Sequence, residues 1–140
     1  MPSTESQNRL SPGQLPAAIS KQVVRLYSEY TGRGPTRVRT TIRDTVVVCI
    51  AHDSMTKGER RLVDAGEAET VVSIRRKFQT AMRDDLVGAV EMLTGRKVIS
   101  FMSDHDAITD HAAEIFVLDG EAQWSVELNG DGPPASPMAS

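Results

Sequence analysis

Arginine occupies positions 33, 37, 39 and 43, and the last three are separated by even numbers of residues. Even spacing puts side chains on one face of an extended strand. A guanidinium is a planar fork of donors, so a row of them suits carboxylate, phosphate or bicarbonate. The turn Gly32-Arg33-Gly34-Pro35 just ahead of the row has backbone N–H groups to add. Arg33, Arg37, Arg39 and Arg43 are therefore the candidate anion-binding residues. The competing explanation is a solvated sheet face whose arginines pair with acidic residues later in the chain.

A second cluster, Asp104-His105-Asp106 with Asp110 and His111, has ligand chemistry that a hard or borderline metal ion accepts. Its spacing is neither an EF-hand loop nor a helical His-Glu-x-x-His. Asp and His are also ordinary hairpin-loop residues, so a metal-dependent enzyme built on these five is the alternative reading. Cys49, the only thiol, lies in the most apolar segment and is expected to be buried and inert. Arg75, Arg76, Lys77 and Arg83 are expected on the solvated face of a long helix. No Gly-x-Ser-x-Gly, phosphate-binding loop or dinucleotide fingerprint is present, so no cofactor is expected.

The elements that position these groups follow from periodicity. Leu15, Ile19, Val23, Leu26, Tyr27 and Tyr30 recur at helical spacing, predicting a helix from about Pro16 to Thr31 that Gly32 ends. Arg37 to Arg43 alternates as a half-buried strand, and Thr45 to Ala51 is a β-branched run long enough for a strand buried on both faces or nearly so, joined to it through Asp44 in an antiparallel hairpin. Thr56-Lys57-Gly58-Glu59 matches a capping box that opens a short helix ending at Gly66. A longer helix runs from Glu67 to Thr94-Gly95, with an apolar stripe of Val71, Ile74, Phe78, Met82, Leu86, Ala89, Val90 and Leu93. Val98 to Met102 and Glu114 to Leu118 read as two more strands, linked by a polar connection from Ser103 to His111. The order α-ββ-αα-ββ predicts an α+β two-layer sandwich, with two antiparallel β-hairpins in one sheet packed against helices.

Residues 1–13 read as a disordered arm, 14–128 as one domain, and 129–140 as a flexible Gly/Pro/Ser-rich tail. The segment from Ala122 to Leu128, holding Trp124, is expected to be an edge strand or a docking segment. The longest unbroken apolar run, Val46 to Ala51, is far short of the roughly 20 residues a spanning helix needs. With one cysteine and no secretory signal, a cytoplasmic location is expected. All 16 Lys and Arg lie within residues 1–97 beside 11 acidic residues, a net +5, while residues 98–140 carry 8 acids and no base, a net -8. That split suits a homodimer or internal pairing, and an overall pI of about 5.6 opposes nucleic-acid binding.

Four strings together resemble one small family: Ile19 to Arg39, including Gly32-Arg33-Gly34-Pro35-Thr36-Arg37-Val38-Arg39; Phe78 to Arg83; Leu93 to Asp104, including Thr94-Gly95-Arg96 and Ser103-Asp104; and Ala113 to Leu118. The chain is similar over about residues 16–119 to the MpsC family, named for a sodium-translocating, membrane-potential-generating system. The resemblance implies a small accessory or regulatory protein, peripheral to the inner face of the membrane. Its partners would be the large membrane transport subunits of a cation and inorganic-carbon system. No catalytic residues carry over, so Gly32, Gly34, Pro35, Thr94, Gly95, Arg96, Ser103 and Asp104 enter as motif positions.

Overall fold

Apolar residues every third and fourth position give the first helix, α1 (Leu15–Thr31), a stripe of Leu15, Ile19, Val23, Leu26 and Tyr27 that is wholly buried. Pro stands in its first turn and Gly32, at φ 85°, ends it in the left-handed conformation that a side chain would strain. The computed structural model describes residues 10–11 and 13–123. After α1 come β1 (Arg37–Arg43), β2 (Val46–His52), α2 (Lys57–Asp64), α3 (Ala68–Thr94), β3 (Val98–Asp106) and β4 (His111–Leu118). The expected order α-ββ-αα-ββ is the observed one.

The four strands form one antiparallel sheet in the order β1-β2-β4-β3. The two hairpins are joined centrally by β2 pairing with β4, with Cys49 opposite Glu114 and His52 opposite His111. α1 packs on β1 and α3, and α3 on β3, so the helices cover one side. That side holds the core, where Val47, Cys49, Ala51, Phe116 and Leu118 meet Ile19, Met82, Leu86 and Val90. Burying each large aliphatic side chain contributes roughly 1.5–3 kcal/mol. A smaller cluster of Met55, Val71 and Ala107 sits beside α2.

Three local expectations are corrected. The polar connection from Ser103 to His111 is mostly strand, since β3 continues to Asp106 and β4 begins at His111. The turn between them is tight because the Asp106 carboxylate accepts the backbone N–H groups of Ile108 and Thr109, while Asp110 takes φ 56°. The buried stripe of α3 runs through Val71, Arg75, Gln79, Met82, Leu86 and Val90, so Ile74 and Phe78 are only half-buried. Arg75 therefore faces inward, against the expectation of a solvated position. The second strand buries one face rather than two, alternating buried and half-buried residues. Of the segment Ala122 to Leu128, only Ala122, buried in the core, and Gln123, whose N–H donates to the Thr94 carbonyl, are described; residues 124–128, the tail 129–140 and most of the arm 1–13 lie outside the described residues.

Candidate functional site

Strand alternation sorts the chemistry-bearing residues onto the two sides of the sheet. Beneath the helices, Arg75 is 2% exposed and donates to the Ser54 carbonyl, to the Ser54 hydroxyl and to Glu59 Oε1. Glu59 is also the capping-box glutamate of α2, accepting the Thr56 N–H at 2.8 Å while the Thr56 hydroxyl accepts the Glu59 N–H. One carboxylate thus caps a helix and balances a buried guanidinium. The Arg75 guanidinium lies 5.6 Å from the centre of the Tyr27 ring, within cation–π range.

Asp110 extends this network across the β3–β4 turn. Its Oδ1 meets His105 Nε2 at 2.9 Å and accepts the Ser54 hydroxyl; its Oδ2 accepts the Met55 N–H at 3.0 Å and Arg60 at 3.1 Å. Desolvation pushes the Asp110 carboxyl up, but the His105 bond and the backbone donors of Met55 and Ser54 outweigh it and hold it below the usual range. Burial lowers the His105 pKa despite the Asp110 bond, which keeps the ring neutral near pH 7. Serine here donates to the carboxylate, not to the imidazole, and is fully buried. That is a structural clamp, without the nucleophile-to-base bond of acyl transfer.

A third buried group lies deeper. The Tyr27 hydroxyl donates to Glu114 Oε2, and burial pushes the Glu114 carboxyl up to about 7 and the tyrosine well above its ordinary value. Ser103 stands opposite Glu114 in register and Gln79 approaches Tyr27, both favouring the charged forms. Neither contact meets hydrogen-bond geometry, and Gln79 Nε2, Ser103 Oγ and Glu114 Oε1 have no partner among the described residues. Gln79 and Ser103 line a cleft of about 330 Å3 whose other walls include Arg76, Arg83 and Phe101. Cys49 is fully buried and its thiol is pushed up to about 12 by burial, as its apolar strand implied.

On the other side, no helix among the described residues covers the sheet. Arg37, Arg39 and Arg43 project there from edge strand β1, all exposed, and none makes an ion pair among the described residues. Arg33 is not in this row. Its guanidinium binds the Asp53 carboxylate and the carbonyls of Asp53 and Met55, tying the end of α1 to the β2–α2 connection. The Arg33 bond is the leading cause holding the Asp53 carboxyl below its usual range.

The five residues of the metal alternative are divided. Asp104, Asp106 and His111 point outward, whereas His105 and Asp110 are buried beneath. Among the described residues no group of three or more His, Cys, Asp or Glu is placed to hold a metal ion. The motif positions form turns and packing. Gly34 leaves little room for a side chain, since a Cβ would stand 3.1 Å from the Val24 carbonyl oxygen and side chain, tight enough that Val24 would have to shift, and Pro35 is buried beside it. Thr94 bonds the Val90 carbonyl, Gly95 ends α3 at φ 70°, and Arg96 Nε donates to the Glu121 carbonyl at 2.6 Å.

Sequence reasoning did not single out Tyr27, Gln79 or Glu114 as polar partners, and it read Glu59 only as the capping-box glutamate, not as the partner of Arg75. A glutamate between alanine and isoleucine in a β4 pattern that otherwise reads as core was the one available signal, because a carboxylate facing a core needs partners.

A single antiparallel sheet with helices on one side and, among the described residues, none on its charge-edged other side defines a two-layer α+β module. The chain belongs to the MpsC family, described as the Na+-translocating membrane potential-generating system (MpsC), whose match spans residues 11–120. It is 26% identical over 120 residues to the uncharacterized protein YbcI of Bacillus subtilis (strain 168), covering 84% of this chain and 95% of that one. No solved structure gives a significant match. Among the described residues no helix is long and apolar enough to cross a membrane.

Proposed function

We propose that this chain is a non-catalytic accessory or regulatory subunit of the membrane-potential-generating system for which its family is named, peripheral to the cytoplasmic side of the membrane. It receives an anionic group on the Arg37, Arg39 and Arg43 row. The observation that carries the reading is that row: three guanidiniums in register along an uncovered sheet edge, without internal counter-charges among the described residues. Family membership supports the link to a Na+-translocating, membrane-potential-generating system. Lacking a spanning helix among its described residues, the chain contributes by docking rather than by forming a path for the ion. Crosslinking in membranes of the native host, followed by recovery of this chain, is expected to retrieve membrane subunits; recovery of none removes the docking. Calorimetry with phosphate and with bicarbonate is expected to show saturable binding that an R37A/R39A variant loses, and unchanged binding in that variant moves the site elsewhere.

A further inference from the structure

The rows across the uncovered face run from a positive edge to a negative one. Register carries Arg37 through His52 and His111 to Asp106, and Arg39 through Ile50 and Ala113 to Asp104. Farther along, β2 and β4 present Val46, Val48, Ile115 and Val117, with Met102 on β3 48% exposed beside them. Arg37 and Asp106 do not pair within one molecule, because three strand spacings, about 14 Å, separate the edges. An apolar strip rimmed by charge is the composition of an interaction surface.

We propose that a second copy of this chain covers this face in a two-fold, sheet-on-sheet dimer, with Arg39 and Arg37 of each copy meeting the Asp104 and Asp106 carboxylates of the other. This deepens, and rests on, the reading that the arginine row takes an anionic group. A two-fold axis lying between the sheets and along the strands turns the β1 edge of one copy over the β3 edge of the other. Position along the strand is unchanged. The Arg37 row therefore lands on the Asp106 row and the Arg39 row on the Asp104 row, at both edges at once. An axis across the strands would instead stack β1 on β1 and set arginine against arginine, so the charge pattern selects one of the two arrangements.

The receiving edge has a seat for the incoming side chain. A shallow cleft of about 300 Å3 is lined there by Ile50, Asp104, Asp106, His111 and Ala113. Stacked sheets lie about 10 Å apart, a gap that an arginine and an aspartate together bridge. Four strands of seven or more residues give a face of roughly 19 by 23 Å, which over two copies is about 900 Å2. That falls just below the range of a stable specific interface, so the dimer is weak and reversible.

Sedimentation equilibrium of the full chain from about 1 µM to about 100 µM tests this, with circular dichroism to confirm folding of each variant. Wild type is expected to dimerise across that range, and R37D/R39D and D104R/D106R are each expected to weaken the dimer about tenfold or more. An equimolar mixture of the two variants is expected to recover it, because every edge then faces the opposite charge. If a charge-reversed variant fails to fold, R37A/R39A takes its place and is expected to dimerise more weakly than wild type. A monomeric wild type, variants that dimerise like wild type, or folded variants that stay monomeric when mixed would each overturn the proposal. Phosphate titration separates the two levels. A monomeric wild type whose phosphate binding is lost in R37A/R39A overturns the dimer and keeps the anion-receiving row; no dimer and no binding overturns both.

Discussion

The two sides of one sheet treat charge in opposite ways. Adjacent residues of β3 illustrate it: His105 is buried against Asp110, while Asp104 and Asp106 on either side of it point to solvent from the uncovered face. Beneath the helices the polar groups are locked together, Arg75 to Glu59 and Asp110 to the neutral His105 ring, with the half-exposed Arg60 closing the Asp110 side. On the side that no described helix covers, the arginines lie at one edge and the aspartates at the other. In a low-dielectric interior an unpaired charge is costly, so covered charges must be satisfied within the chain. Exposed charges carry no such demand, and separating them leaves both edges free for another molecule.

The largest effect that can break this comparison lies on the covered side. Arg75→Ala leaves the Glu59 carboxylate buried without its counter-charge, with only the Thr56 N–H donating to it, and also removes the donors to Ser54. The expected loss is about 3–5 kcal/mol of folding stability, measured by urea denaturation. Replacing the pair together, Arg75→Met with Glu59→Gln, is expected to cost less than Arg75→Ala, because no unpaired charge remains. A loss below about 1 kcal/mol for Arg75→Ala would mean that the buried network is not what binds α2 to α3.

Next in size is a pH dependence set by Glu114. Burial raises its carboxyl from 4.5 to about 7, so the folded protein holds that proton more tightly than the unfolded chain does. The favourable contribution is complete below about 4.5 and is lost as pH rises through about 7. His105 and His52 are lowered by burial and act oppositely, adding stability as pH rises toward 6.5. The raw profile therefore mixes both signs. Comparing wild type with Glu114→Gln isolates the carboxyl: the advantage of the variant is expected to grow by up to about 3 kcal/mol between pH 5 and pH 8. A constant difference would show that Glu114 is ionised throughout, placing a true anion beside Tyr27.

This division also explains what the sequence could reveal. Alternation in Arg37 to Arg43, helical spacing in Leu15 to Tyr27 and the box at Thr56 to Glu59 are local patterns, and each became the expected element. They sufficed for the order α-ββ-αα-ββ and for the shared face of Arg37, Arg39 and Arg43. Arg75 was misplaced because arginine beside Arg76 and Lys77 reads as a solvated run; only the Ser54 and Glu59 partners, brought in by tertiary packing, make its burial tolerable. Arg33, in the turn ahead of the strand, joins the anion-binding candidates by proximity in sequence, yet it turns toward Asp53 and Met55. The Asp104 to His111 cluster looked like one site because it is close in sequence. The pleat of β3 separates neighbours that a loop would have gathered.

The smallest expected effect is the most discriminating. If Arg37 and Arg39 belong to a face kept free for another molecule, removing them costs the monomer almost nothing. R37A/R39A is expected to lie within about 0.5 kcal/mol of wild type per site, measured by urea denaturation at a concentration where both are monomeric. Exposed ion pairs contribute little in any case, so a small loss alone says little. The inference comes from the pairing of two results: near-wild-type stability together with lost phosphate binding or weakened self-association. A loss of several kcal/mol would instead mean that these arginines serve the fold, and the contrast between the two sides of the sheet would disappear.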